Sequence, residues 1–226
     1  MKKTKTQFDI LTIYPSIFDS YFGQAIIKTA LDKKIVKINI HDLRDFSFDN
    51  YKTVDDKPYG GGAGMVMKVD VIHNAIKKIV KKSSTKTRII VFSAKGKALK
   101  QSDLKRYTKY NNIVMICGRF EGIDQRVIDK IADEEISIGE YVLAGGEIPA
   151  LTLIEGVTRL LPDVLGNKDS LSEESYKEQG FLEAGQYTRP EKFYPDPKNK
   201  RKSWGVPKVL LSGNHKEIQK YRNKSN

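Results

Sequence analysis

Apolar positions along the first 160 residues alternate between short runs and stretches spaced at three and four. Phe8 to Ile13 is a run of strand character, and Pro15 opens a stretch with Ile17, Phe18, Tyr21, Phe22, Ala25 and Ile26 at helical spacing. Ile35 to Ile40 returns to strand. After a long polar, glycine-rich loop, Val69, Ile72, His73, Ile76, Ile79 and Val80 describe a helix face, and Arg88 to Phe92 reads as a buried strand. The alternation continues with Asn112 to Cys117 as strand, Ile123 to Ala132 as helix, Glu135 to Ile138 as strand and Ile148 to Leu161 as a strongly apolar helix. Strands separated by helices of about ten or more residues predict an α/β fold, a parallel sheet with helices on both faces.

From Pro162 the pattern changes. Gly, Asn, Asp and Ser dominate up to Ser175, four of the eight prolines fall between 190 and 207, and a short helical segment is expected near Lys216 to Arg222. A linker followed by a small C-terminal domain is the reading. That domain carries the single tryptophan, Trp204, which argues against a disordered tail.

Composition narrows the class. With 226 residues, 39% of them hydrophobic, the chain can bury a sizeable core. No window approaches the ~20 consecutive apolar residues of a membrane span, and Met1 to Gln7 is basic without an apolar segment behind it, so the cytoplasm is the expected compartment. A lone cysteine, Cys117, and three scattered histidines offer no disulfide and no metal-ligand set, so no metal site is expected; Cys117 and His73 read as core residues. The 40 Lys+Arg against 28 Asp+Glu leave a net charge of +12. Residues 174–226 hold 12 of the cations and 6 of the acids, half of that excess in under a quarter of the chain. A polyanionic partner or a merely solvated lysine-rich surface would both account for it.

In open α/β sheets ligands gather at the carboxyl ends of strands, so the loops that follow the strands are where chemistry is sought. The first unusual loop is Lys57 to Met65, with Gly60, Gly61, Gly62 and Gly64 in five positions; it fits neither the dinucleotide fingerprint nor the P-loop. The second, Cys117-Gly118-Arg119-Phe120-Glu121-Gly122-Ile123-Asp124, follows an apolar strand and sets Arg119, Glu121 and Asp124 ahead of a helix. The third, Ser137-Ile138-Gly139-Glu140-Tyr141-Val142-Leu143-Ala144-Gly145-Gly146-Glu147, places apolar side chains between glycines. A backbone cradle for a flat, partly apolar ligand such as an adenine ring would use that pattern, and so would a loop packed on the core.

These strings, taken in order with His41-Asp42-Leu43-Arg44-Asp45-Phe46, Thr53 to Gly62, Arg159-Leu160-Leu161-Pro162, Val164-Leu165-Gly166-Asn167, Gln186-Tyr187-Thr188-Arg189-Pro190, Val206-Pro207 and Leu210 to His215, resemble the bacterial tRNA (guanine-N1)-methyltransferase (TrmD) family along almost the whole chain. The resemblance implies a SPOUT-type α/β domain with a trefoil knot, a small, mostly helical C-terminal domain, and a homodimer whose active site is shared between subunits. It divides the chain into an S-adenosylmethionine-binding domain over 1–161, a linker over 162–175 and a tRNA-binding domain over 176–226. The implied reaction moves a methyl group from S-adenosylmethionine to N1 of guanine 37 of tRNA. Magnesium is associated with the family and could act through the tRNA.

Guanine N1 is not nucleophilic until its proton leaves, and the resulting charge spreads onto O6, so the site should offer a carboxylate base and a fixed cation. The resemblance carries the cation to Arg159 and the base to Glu174, where relatives have aspartate; Asp169 or Glu173 could serve instead. It assigns the cofactor to Phe92, Ser93, Gly118, Phe120, Glu121, Ile138, Gly139, Glu140, Tyr141, Val142, Leu143, Gly145, Gly146 and Pro149. For Glu121 the bland alternative is a carboxylate that pairs with Arg119 or caps the following helix. Asp55, Tyr59, Gly60, Gly61, Gly62, Arg119 and Ser170 are implied contacts of the substrate, and Lys200 and Arg201, in the cluster Lys198 to Lys202, are implied phosphate contacts. A catalytically silent RNA-binding protein on the same scaffold, or a related methyltransferase with another target, is the alternative.

Overall fold

The computed structural model describes residues 6–80, 86–166, 174–176, 178, 180–196 and 202–224. The chain divides into two compact units, Met1–Gly166 and Asn167–Asn226.

The first unit is built on a five-stranded parallel sheet in the order β2-β1-β6-β5-β7. Its strands are β1 (Thr6–Thr12), β2 (Val36–Asp42), β5 (Thr87–Ala98), β6 (Asn112–Ile116) and β7 (Glu134–Ser137). Between them run α1 (Asp19–Phe22), α2 (Ala25–Asp32), a small antiparallel pair of β3 (Asp55–Asp56) with β4 (Val66–Met67), α3 (Val69–Ile79), α4 (Gln101–Tyr107) and α5 (Gln125–Lys130). The helix α6 (Glu147–Arg159) follows β7. Successive strand residues point to opposite faces, and the core splits accordingly. Phe8, Ile10, Ile90, Phe92, Ile113, Met115 and Ile136 pack with Ile27 of α2 and Leu153, Ile154 and Val157 of α6. Leu11, Val91, Val114 and Ile116 pack with Val71, Ile72, Ala75 and Ile76 of α3 and Val127 of α5. Helices therefore cover both faces, as the alternation of patterns requires.

Several elements differ from expectation for local reasons. The stretch from Pro15 is not one helix: a 3-10 turn, Pro15–Phe18, leads into α1, which stops at Gly23 before α2 restarts at Ala25. β5 runs well past Phe92, because after a register shift between Phe92 and Lys97 the strand pairs again with β7. α4 carries no apolar periodicity; its N-terminus is fixed by the Asp103 carboxylate, which accepts from the Lys100 amide at 3.2 Å. His73 is exposed on α3, one residue beyond the buried face formed by Val71, Ile72, Ala75 and Ile76, so its reading as core is corrected; Cys117 is fully buried. The His41 to Phe46 string is structural. His41 Nε2 lies 2.8 Å from Oδ1 of the buried Asp9, Asp42 caps the following turn through the Arg44 amide, and Arg44 donates to the Ile13 carbonyl.

The second unit contains an antiparallel pair, β8 (Lys192–Phe193) with β9 (Trp204–Gly205), in which the Phe193 and Trp204 rings lie 5.5 Å apart. Two helices follow, α7 (Lys208–Leu211) and α8 (His215–Lys224). No helix among the described residues is long and apolar enough to cross a membrane.

Candidate functional site

The register shift within β5 and the carboxyl ends of β6 and β7 open into one cavity of about 390 Å³, within the roughly 300–1,000 Å³ range of small-molecule sites. Its walls are the shifted segment of β5 after Phe92, the loop from Gly118 to Ile123, and the loop from Ser137 to Gly146, closed by Pro149 of α6. Of the residues assigned to a cofactor from sequence, all but the exposed Glu140 line this cavity. Arg119 lines it too. So do Ile123 and Ser137, which fall within the loops read from sequence, and Lys95, Ile128 and Glu135, which sequence reasoning missed; the signal for Glu135 was its place in the last parallel strand.

The loops hold each other. The Gly146 amide donates to the Gly118 carbonyl at 3.0 Å, and a Cβ at Gly146 would come within 2.7 Å of Cys117 Cα, so the third loop lies directly against the end of β6. Arg119 and Glu121 are not partners. Arg119 Nη2 stands 2.8 Å from Glu147 Oε2, while Asp124 is the residue that caps α5, through the Arg126 amide at 2.9 Å. Glu121 instead packs on the glycine-rich loop, where a Cβ on Gly64 would meet its Cγ at 2.4 Å, and its amide donates to the Met65 carbonyl at 3.0 Å. The Met67 amide donates to the Gly122 carbonyl at 2.9 Å, and the Asp124 amide donates to the Met67 carbonyl at 3.1 Å, zipping β4 to the second loop. Ser93 Oγ donates to Glu135 Oε1 at 2.6 Å, joining the shifted segment of β5 to β7.

Burial of Cys117, reinforced by the nearby Glu147 charge, pushes its thiol well up and keeps it neutral beside the cavity. At the outer edge of the sheet, Glu134 receives Arg88 Nε at 2.5 Å, Arg106 Nη2 at 2.7 Å and the Tyr107 hydroxyl at 2.9 Å. Burial alone would raise this carboxyl, but those donors outweigh it and hold it at about 2. That cluster anchors β7, whose far end forms the cavity wall.

The remaining sequence candidates are distributed. Asp55 sits in β3 opposite Met67; Tyr59 is fully exposed, and Gly60, Gly61 and Gly62 all take positive φ, which explains their residue type. Arg159 ends α6, and Glu174 is half-buried in the second unit. Asp169, Ser170, Glu173, Lys200 and Arg201 lie outside the described residues. Within the second unit, Gln186 to Pro190 border a cavity together with Val206, Leu210, Ile218 and Arg222. A hydrogen bond with Tyr187 raises the Tyr221 phenol. Among the described residues no group of three His, Cys, Asp or Glu side chains could hold a metal ion.

The donor set suits a small, cationic, partly aromatic ligand. Glu121 and Glu135 supply negative charge for its cationic end, Lys95 and Arg119 supply positive charge for an anionic group on the same ligand, Phe92, Ile138, Val142 and Leu143 supply apolar surface, and the glycines expose backbone polar groups.

Comparison with known proteins bears on the same residues. A family model described as tRNA (Guanine-1)-methyltransferase TrmD matches residues 6–226. Curated relatives named tRNA (guanine-N(1)-)-methyltransferase include one from Prochlorococcus marinus, 48% identical, covering 95% of this chain and 82% of the relative. One from Clostridioides difficile is 44% identical, covering 96% and 90%, and one from Dehalococcoides mccartyi is 42% identical, covering 96% and 84%. A match that includes all three cavity loops and extends through the second unit leaves one conclusion: the chain belongs to the tRNA (guanine-1)-methyltransferase family.

Proposed function

We propose that this chain transfers the methyl group of S-adenosylmethionine to N1 of guanine 37 of tRNA. The observation that carries the reading is the cavity at the register shift of β5 and the ends of β6 and β7, in which apolar loop residues, exposed backbone and two carboxylates converge within a chain of this family. S-adenosylmethionine, when bound, supplies a methyl group already activated by a sulfonium. The protein is left with positioning and proton removal. Phe92, Ile138, Val142 and Leu143 hold the purine, and Glu121 and Glu135 favour the cationic end. Arg159 neutralises charge that develops on guanine O6, and Glu174 or Asp169 accepts the N1 proton.

The finer architecture follows the same reading. The return of the third loop to the end of β6 after the chain has passed through β7 supports a knotted SPOUT backbone around the cavity. Exposed Tyr141, Val142, Leu143 and Ile148 beside the cavity support a homodimer that covers them and completes the site. The division of the chain at Gly166 supports a donor-binding domain over 1–161, a linker over 162–175 and a tRNA-binding domain over 176–226, in which α7 and α8 follow the β8–β9 pair. The reaction is assigned to the cytoplasm, and any magnesium requirement to the tRNA rather than to a site on this chain. The deciding experiment incubates the protein with tritiated S-adenosylmethionine and a tRNA transcript bearing guanines at 36 and 37, then maps the modified nucleotide by mass. Label confined to guanine 37 is expected. Label that persists when guanine 37 is replaced, or none above blank, rejects the proposal.

A further inference from the structure

Glu147 is the first residue of α6, where an acid ordinarily stays in water and gains from the helix dipole. Here it is 1% exposed. A buried carboxylate is costly unless it is paired. Thr12 Oγ1, at the end of β1, donates to Oε1 at 2.8 Å, and Arg119 Nη2 stands 2.8 Å from Oε2 as an ion pair, with neither Oε2 nor the buried Arg119 Nε making a hydrogen bond among the described residues. Arg119 also donates through Nη1 to the Ala144 carbonyl at 3.3 Å, and its guanidinium lies 4.8 Å from the centre of the Tyr14 ring. One carboxylate thus ties the end of β1, the loop after β6 and the loop before α6 to a single point. The fit is tight: a Cβ on Gly145 would come within 2.2 Å of Arg119 Nε and 2.5 Å of Glu147 Oε2.

Resting on the donor-site reading of the cavity, we infer that Glu147 is a positioning residue for the methyl transfer, holding Arg119 so that the second and third loops keep the spacing the donor requires. Arg119 faces the cavity and Glu147 does not line it, so the effect on the donor passes through the guanidinium. The acids nearer to Arg119 in sequence cannot replace it, because Asp124 is held by Arg126 at 2.7 Å and Glu121 rests on the backbone at Gly64. A buried ion pair kept for stability alone would be poorly chosen, since apolar substitutes of the same volume often serve as well. Holding a planar guanidinium at one angle in a cavity wall is a task an apolar substitute cannot perform.

The test is a double-mutant cycle on the full chain, with S-adenosylmethionine titrated calorimetrically into the wild type, Glu147→Gln, Arg119→Met and the double variant. Glu147→Gln is expected to weaken donor binding about tenfold, and the double variant to bind within about twofold of Arg119→Met alone, the coupling expected of contacting residues. The KM for the donor rises while that for tRNA stays within about twofold, a split that general loss of stability does not produce. Thr12→Val, which removes the donor to Oε1 and the acceptor of the Tyr14 amide at conserved shape, gives an independent reading if Glu147→Gln does not fold: about threefold weaker donor binding, measured at a temperature where the somewhat less stable variant is still folded. Donor affinity within twofold of wild type in both Glu147→Gln and Thr12→Val overturns the inference, as do losses that multiply in the double variant. A wild-type protein that binds no S-adenosylmethionine overturns the donor-site reading itself, and the two failures are thereby told apart.

Discussion

Replacing Gly146 by alanine isolates how closely the cavity walls must approach. The residue has φ −82° and ψ −2°, which alanine adopts freely, so the backbone conformation adds no penalty. The cost is steric alone. The new Cβ would stand 2.7 Å from Cys117 Cα, 3.0 Å from the Gly118 nitrogen and 3.2 Å from the Cys117 carbonyl carbon, all backbone atoms at the end of a central strand. Ordinary van der Waals separation begins near 3.4 Å, so the start of α6 must retreat about 0.7 Å from β6. That retreat stretches the 3.0 Å bond from the Gly146 amide to the Gly118 carbonyl towards 3.7 Å, beyond hydrogen-bond range. Overpacking costs about 1–3 kcal/mol and the broken hydrogen bond about 1 kcal/mol, a total of roughly 2–4 kcal/mol. For a chain of this size that lowers the melting temperature by roughly 5–15 °C. Because the displaced atoms are cavity wall, donor affinity falls as well, by about tenfold or more, given that a shift of about 1 Å can cost 10²-fold. Differential scanning fluorimetry and calorimetric titration with S-adenosylmethionine read both effects, and Gly166→Ala, whose Cβ meets nothing within 4 Å, is the control. A Gly146→Ala protein that melts with the control and binds the donor as wild type does would refute the close-packed cavity.

Arg159→Ala is expected to lower kcat by about 10²–10³ while donor affinity stays near wild type, as removal of a group that meets transition-state charge should; single-turnover kinetics read it. Glu174→Gln should abolish methyl transfer and leave tRNA binding intact, and full activity would move the base to Asp169 or Glu173. Glu134 has its carboxyl held at about 2 against an ordinary 4.5, so its contribution to stability is complete above pH 4.5 and is lost as the pH falls towards 2. That difference corresponds to at most about 3 kcal/mol, and in urea melts Glu134→Gln should flatten the acid limb of the stability profile. Replacing Lys200 and Arg201 by alanine should weaken tRNA binding and reduce the slope of log K against log salt by about 0.7–0.9 for each phosphate no longer neutralised; an unchanged slope removes them from the RNA surface.

The sheet was legible because its strands announce themselves. β1, the first half of β5, and β6 each carry short apolar runs buried on both faces, and α3 repeats its apolar residues cleanly at helical spacing. What escaped did so for physical reasons. α4 buries only Asp103 and Tyr107, so it has no apolar stripe to read. The second half of β5 is polar, and only its pairing with β7 makes it strand. The break at Gly23 interrupts a spacing that by itself reads as continuous. His73 fell among apolar residues at helical intervals and still faces outward, because periodicity places a residue on a face only to within the width of that face.

The site divides along the same line. Its walls were legible because glycines and misplaced apolar residues are local signals, visible wherever a loop breaks the rules of a solvent-facing turn. Its charge arrangement was not, because an ion pair carries no local pattern. Arg119 has Glu121 and Asp124 within five residues and takes Glu147 instead, since the chain must first pass through α5 and β7 before the third loop returns to the end of β6. Sequence proximity favoured the wrong carboxylates, and topology delivered the right one. In a parallel sheet every site is assembled from strand ends that are distant in sequence, so the backbone cradle can be read from residue types one loop at a time. The electrostatics that fix the cradle's dimensions can be read only once the strands have been placed side by side. For this reason Thr12, Arg119 and Glu147, drawn from three separate strand ends, are where substitutions should separate donor binding from folding most sharply.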